Sequence, residues 1–157
     1  MIELRETPFE PYRELLAHQE RVSQAGIQFG ATCSFVGTLR DFNLGASVSG
    51  MYLEHYPGMT EKFLLRIREE AASRWTLNEA VLIHRVGEIS LNEAIVLIAV
   101  WSFHRGAAFD ACRYMIEELK SRAPFWKREA LAGGTHRWVS TNSDGYHDDD
   151  RAITSQQ

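Results

Sequence analysis

Lys120 and Lys127 stand seven residues apart on either side of Pro124. An amine close to other cations is pushed away from its charged form. One lysine of such a pair can then act as nucleophile or general base while the other holds charge. Spacing alone does not bring the two together. A helix ending on the first and a strand returning through the second would do so, while two solvated lysines is the commoner state of any such pair. The surrounding stretch, Trp101 to Arg128, reads WSFHRGAAFDACRYMIEELKSRAPFWKR. His104-Arg105 falls between an apolar run and the helix that follows, where backbone N–H groups and the helix dipole favour an anion. The plainer alternative there is a helix-end histidine and a surface arginine. Arg40 ends an alternating run and opens a glycine-containing loop, a place suited to clamping a carboxylate or phosphate. Phe125 and Trp126 flank the cations, either as core or as a wall for a flat heterocycle. Several cations beside one helix N-terminus would suit a phosphate-bearing ligand. The second His-Arg pair, His84-Arg85, has no helix start beside it and reads as structural.

These residues need elements to position them. Residues 2–5 can form a short strand, and Pro8 and Pro11 lead into a helix from Tyr12 to Gln24 with Leu15, Leu16 and Val22 apolar and Gly26 as its stop. Ile27, Phe29, Ala31, Cys33, Phe35 and Leu39 then alternate with polar residues up to Arg40. This is the period of a half-buried strand. Residues 41–45 read as a loop and Val48 to His55 as a strand broken by Pro57-Gly58. Thr60 can cap a helix to Trp75, whose Phe63, Ile67, Ala71 and Trp75 stand four apart with Leu64 beside them. Strands are expected at Glu79–Val86 and Ala94–Phe103, the second apolar enough to be buried on both faces. The helix from Gly106 to Arg122 places Ala108, Cys112, Met115, Ile116 and Leu119 on one face. Lys120 sits at the edge of that stripe and can reach a cleft. Pro124 ends it, and Trp126 to Val139 forms a hairpin around Gly133-Gly134. The pattern predicts one α+β domain over residues 1–142 with a mostly antiparallel sheet and flanking helices. The acidic tail, residues 143–157, reads as disordered.

The chain has 157 residues, 45% hydrophobic and 24% charged, enough for one domain with its own core. A net charge of −4 disfavours wholesale nucleic-acid binding. Residues 101–140 nonetheless carry seven bases against four acids. The two cysteines, Cys33 and Cys112, lie outside any CxxC spacing and read as buried thiols. No apolar run reaches the roughly 18 residues of a membrane span, and the opening MIELRETPFEPY is unlike a secretory signal, so a cytoplasmic protein is expected. GxGxxG, P-loop, GxSxG and HExxH motifs are absent, so neither cofactor nor metal is expected. The chemistry falls to cations and a bound or borrowed reagent.

FVGTLRDFNLG (35–45), LEHYPGMTEK (53–62), IHRVGEI (83–89), FHRGAAFDACRYMIEELK (103–120) and APFWKRE (123–129) together resemble the catalytic large subunit family of molybdopterin synthase. APFWKRE and LEHYPGMTEK are the most specific of these motifs. The likeness is ordered and spans residues 27–139. It implies an α/β-hammerhead fold and the conversion of cyclic pyranopterin monophosphate (precursor Z) into molybdopterin by insertion of two sulfurs. The sulfur would come from a thiocarboxylate on the C-terminal Gly-Gly of a small ubiquitin-like carrier subunit. A homodimer of large subunits with one carrier at each end, a heterotetramer, is also implied.

Residue by residue, the resemblance implies that Lys120 and Lys127 act at the reacting centre. Thr38, Leu39, Arg40, His104, Arg105, Arg128 and Glu129 would bind the pterin substrate. The chain departs from the family pattern after Trp138-Val139, where Ser140-Thr141-Asn142 contains no arginine and Arg137 is the nearest substitute. Two other function classes compete with the enzyme: a non-catalytic binder of a phosphorylated heterocycle, and a purely structural partner of a ubiquitin-like protein.

Overall fold

The computed structural model describes residues 1–43, 46–131 and 134–139. In order, the chain forms β1 (Ile2–Arg5), α1 (Pro11–Gln24), β2 (Ala31–Thr38), β3 (Phe42–Asn43), β4 (Ala46–His55), α2 (Met59–Trp75), β5 (Glu79–Arg85), β6 (Gly87–Ser90), β7 (Ala94–Ser102), α3 (Arg105–Arg122), β8 (Phe125–Leu131) and β9 (His136–Val139).

The apolar run of β7 is buried on both sides, as its composition requires. It lies inside a four-stranded sheet ordered β1-β5-β7-β2. Val96, Ile98 and Val100 face α2 and α3, meeting Leu64, Ile67, Ala71, Cys112 and Met115. Leu97, Ala99 and Trp101 face the other way, with Phe9 and Val22. Each Val, Leu, Ile, Phe or Met among them contributes about 1.5–3 kcal/mol on burial. β7 pairs antiparallel with β2 and β5, and only β1 runs parallel to its neighbour. A second, antiparallel sheet is built on β4, which pairs with β3, β6 and β8, while β9 adds to β8. A third apolar cluster of Leu39, Val48, Met51, Leu53 and Ile89 also packs against Ile95 of β7 and Phe125 of β8.

Several local expectations change. The alternating run becomes a strand only at Ala31. The Ile27 N–H still bonds the Val22 carbonyl at 3.2 Å, and Ile27 and Phe29 pack into the α1 side of the core. The segment expected as a loop contains β3. The expected strand ends at Arg85, and Gly87, at φ +76, turns the chain into a further short strand, β6, which pairs with β4. On α1, Leu16 is 58% exposed while His18 is buried against Trp101. Gly58, not Thr60, caps α2, its N–H donating to the Glu61 carboxylate at 2.6 Å. Thr60 is instead buried in the first turn. Its hydroxyl accepts from the Tyr56 N–H at 3.1 Å and donates to the Pro124 carbonyl at 3.5 Å. The start of α2 is thereby tied to the reversal between α3 and β8. Cys112 is buried and Cys33 half-buried. Burial, followed by the neighbouring Cys33, pushes the Cys112 thiol well above the ordinary thiol range, in keeping with an unreactive role. Gly134 turns β8 into β9 at φ +81, while Gly133 and the acidic tail lie outside the described residues.

Candidate active site

Ala123 is extended, as a residue before proline must be, so α3 stops and β8 begins two residues later. This reversal folds Lys127 back beside Lys120. Both line a cavity of about 370 Å³ between the two sheets, within the range of small-molecule sites. The end of α3 supplies Ile116, Leu119 and Lys120, and the end of β2 supplies Thr38, followed by Leu39 and Arg40. The Leu39 backbone is pinned on both sides, its N–H to the Glu93 carbonyl and its carbonyl to the Asn92 N–H, each at 3.0 Å. That holds Arg40 at the cavity while its own side chain stays exposed.

Strand alternation divides β8. Phe125, Lys127 and Glu129 line the cavity. Trp126 and Arg128 take the opposite face, where Trp126 is half-exposed and the Arg128 guanidinium lies over the rings of Tyr52 (5.3 Å) and Trp138 (5.9 Å). Arg128 is therefore outside the cavity. Glu129 is buried, and its Oε2 accepts from Arg137 Nη2 at 2.6 Å and Nε at 3.2 Å across the β8–β9 pair. Arg137 thus reaches the site through Glu129.

His104 and Arg105 stand at the other end of α3 from Lys120, ~22 Å along the axis at helical rise. One chain does not bring them to this cavity. The end of α3 that does reach it is the C-terminus, whose dipole favours cations such as Lys120 and Arg122 rather than an anion. Attraction for an anion here comes from side chains, not from a helix start.

Burial, and then the Lys120 charge, lower the Lys127 pKa from the ordinary lysine value, with the Glu129 charge opposing them. An amine so placed has a larger neutral fraction than a surface lysine, which nucleophilic or base chemistry requires. Arg40, Lys120 and Lys127 bring three cations to one concavity against the Arg137-paired carboxylate of Glu129. Such a site can hold an anion and stabilise negative charge that develops during reaction.

His84 also lines the cavity, and sequence reasoning left it out. The available signal was its even-numbered place on β5, shared with Ala80 and Leu82, which face α2 and α3. Its neighbour Arg85 is structural, as expected. That fully buried guanidinium bonds the carbonyls of Arg5, Val86 and Glu88 and the Glu93 carboxylate.

The family model for the MoaE protein matches residues 6–122. The chain belongs to the MoaE family. Lys120 lies within the matched segment and Lys127 just past it. The molybdopterin synthase catalytic subunit of Ralstonia nicotianae is 53% identical over 126 residues, covering 80% of this chain and 69% of its own. That of Pseudomonas aeruginosa is 48% identical over 139 residues, 88% of this chain and 89% of its own. Among solved structures, the molybdopterin biosynthesis MoaE protein of Burkholderia ambifaria superposes with a TM-score of 0.75 at 38% identity, over 98% of this chain and 96% of its own. The α+β architecture, with its mostly antiparallel sheets and flanking helices, is thus the MoaE fold.

Proposed function

We propose that this MoaE-family chain is the catalytic large subunit of a molybdopterin synthase, a sulfurtransferase of molybdenum cofactor biosynthesis. It inserts two sulfurs into cyclic pyranopterin monophosphate to make molybdopterin. The observation that carries this reading is the meeting of Lys120, Lys127 and Arg40 in one cavity, in a chain closely similar to catalytic subunits of that enzyme. The sulfur donor is the C-terminal thiocarboxylate of a small ubiquitin-like carrier, whose Gly-Gly tail is narrow enough to thread such a cavity. Thiocarboxylate and cyclic phosphate are both anionic, so one cationic field attracts both. Ring opening of the phosphate and addition of sulfur each develop negative charge, which Lys120 and Arg40 are placed to stabilise. Lys127, the half-buried amine, serves as nucleophile or base. Thr38 and Leu39 set the edge of the substrate site, and Glu129 holds it against β9 through Arg137.

The proposed substrate contacts of His104 and Arg105 require a second copy of the chain, since their own cavity is a helix length away. The homodimer that brings this about, with one carrier on each large subunit, is part of the proposal, and Arg128 lies outside the single-chain site. Among the described residues no helix is long and apolar enough to cross a membrane. We place the reaction in the cytoplasm.

Reconstitution tests the reading. The purified chain, a thiocarboxylated carrier and precursor Z are mixed, and dithiolene pterin is assayed after oxidation to its fluorescent derivative. Product that depends on this chain is the expected result. Tight binding of precursor Z without product would replace the enzyme with a binding module.

A further inference from the structure

His84 is buried in the cavity wall, and two contacts fix its geometry. Its Nδ1 lies 2.7 Å from the Arg85 carbonyl, which can only accept, so Nδ1 carries the hydrogen. Its ring stacks on Phe125 at 4.3 Å between centroids and 14° between planes, which fixes the ring plane. The ring is neutral, since burial takes its pKa down to about 4. A neutral imidazole that donates from Nδ1 has a lone pair on Nε2. Phe125 and Lys127 are two apart on the same face of β8, so the residue stacked on Phe125 is a neighbour of the Lys127 side chain, and the Lys127 charge acts on the His84 ring. The cavity's other charged groups are Lys120 from α3, Arg40 after β2 and Glu129 from the same strand as Lys127. Among the described titratable groups that line the cavity, His84 is the uncharged acceptor.

We propose that His84 is a positioning residue for Lys127: its Nε2 accepts from the Lys127 Nζ and aims that amine into the cavity without adding charge. This inference rests on the reading of Lys127 as a reacting group. A second carboxylate in the same place would hold Lys127 as a salt-bridged ammonium, and a cation would repel it. A neutral acceptor can direct the amine and still leave its lone pair accessible once the proton is gone. Arg85 contributes by supplying the carbonyl that sets the tautomer, in the manner of groups that orient a ligating or catalytic histidine from behind.

The test compares three replacements and reads Lys127 itself. His84→Phe keeps the stacking and the burial and removes the acceptor. His84→Asn keeps a group able to reach the Arg85 carbonyl but none at the Nε2 position. His84→Gln places an amide oxygen near the Nε2 position. Acylation of Lys127 by acetic anhydride is followed against pH by mass spectrometry on the whole chain, and kcat and KM are measured in the reconstituted reaction. Loss of a hydrogen bond to the ammonium favours the neutral amine. In the Phe and Asn variants the midpoint of the Lys127 labelling profile should move down by about one pH unit, with kcat about 10-fold lower and KM little changed. The Gln variant should recover both. Midpoints that stay at the wild-type position in both the Phe and Asn variants overturn the proposal, as does a Gln variant no better than Asn. Labelling needs no substrate. A shifted profile upholds the link between His84 and Lys127 even in a preparation that makes no product, and an unshifted one sinks it even where turnover falls.

Discussion

An ordinary surface lysine is almost wholly charged at neutral pH, and an ammonium has no lone pair with which to attack or to accept a proton. Lys127 differs because partial burial and the Lys120 charge both oppose its ammonium form. Its part in the reaction should fade as pH falls through its lowered pKa, so the acid limb of the rate profile should lie below that of an ordinary lysine. Lys127→Arg, charged at every working pH, should not restore turnover. Lys120→Ala and Lys127→Ala should each cost about 10²–10³-fold in rate, with melting temperatures close to the parent's. A variant of either kind with near-normal product formation would remove that residue from the mechanism. His84 makes a separate prediction about stability. Its folded pKa is about 4, against 6.5 for an ordinary histidine. Between those values the unfolded chain binds a proton that the native chain refuses, so stability falls as pH drops from 6.5 to 4. The loss is about 3 kcal/mol. Urea titrations at pH 7 and pH 4.5 should show it in the parent, and His84→Gln should flatten that part of the dependence. Residue type named Lys120 and Lys127 as candidates, whereas His84 read as structural: its even-numbered place on β5 marks the face it takes, but not that a cavity borders that face.

At the scale of elements, periodicity carried most of the reading. The 3.6-residue stripes of α2 and α3 and the unbroken apolar run of β7 each record a burial that packing then realised. The misplacements share a physical cause: a local pattern was overruled by a competing hydrogen-bond partner. Ile27 and Phe29 fit the alternation of β2, but the end of α1 captures the Ile27 N–H. Thr60 has the chemistry of a helix cap, but the Glu61 carboxylate holds Gly58 in that place and leaves Thr60 to bridge towards Pro124. Arg85 joins the end of β1, the turn into β6 and the segment before β7 through one guanidinium. Arg85→Ala strands the Glu93 carboxylate and three carbonyls and should cost about 3–5 kcal/mol of folding stability, the scale for breaking one side of a buried ion pair. Chemical denaturation measures it directly, and a loss below 1 kcal/mol would show that water replaces the clamp.

For the whole molecule, the placement of His104 and Arg105 a helix length from Lys120 leads to a test of assembly. A dimer mixed from Arg105→Ala and Lys127→Ala chains has one intact site if the two residues serve a cavity from different copies, and none if they serve it from the same copy. Recovery of turnover on mixing two inactive variants is expected, and continued inactivity after verified subunit exchange would refute the arrangement. The sequence by itself determined the α+β class and the faces of α2, α3 and β7 that are buried, and it named the two lysines as candidates. Those depend on residue type and on repeats of two or about four residues, which a linear chain displays. Only the tertiary structure decided which cations share a cavity. Strand alternation sends Arg128 to the far side of β8, the length of α3 separates Arg105 from Lys120, and the pairing of sheets brings His84 beside Lys127. These are distances between segments remote in sequence, and they are set when the two sheets close on each other, not by any window of the chain.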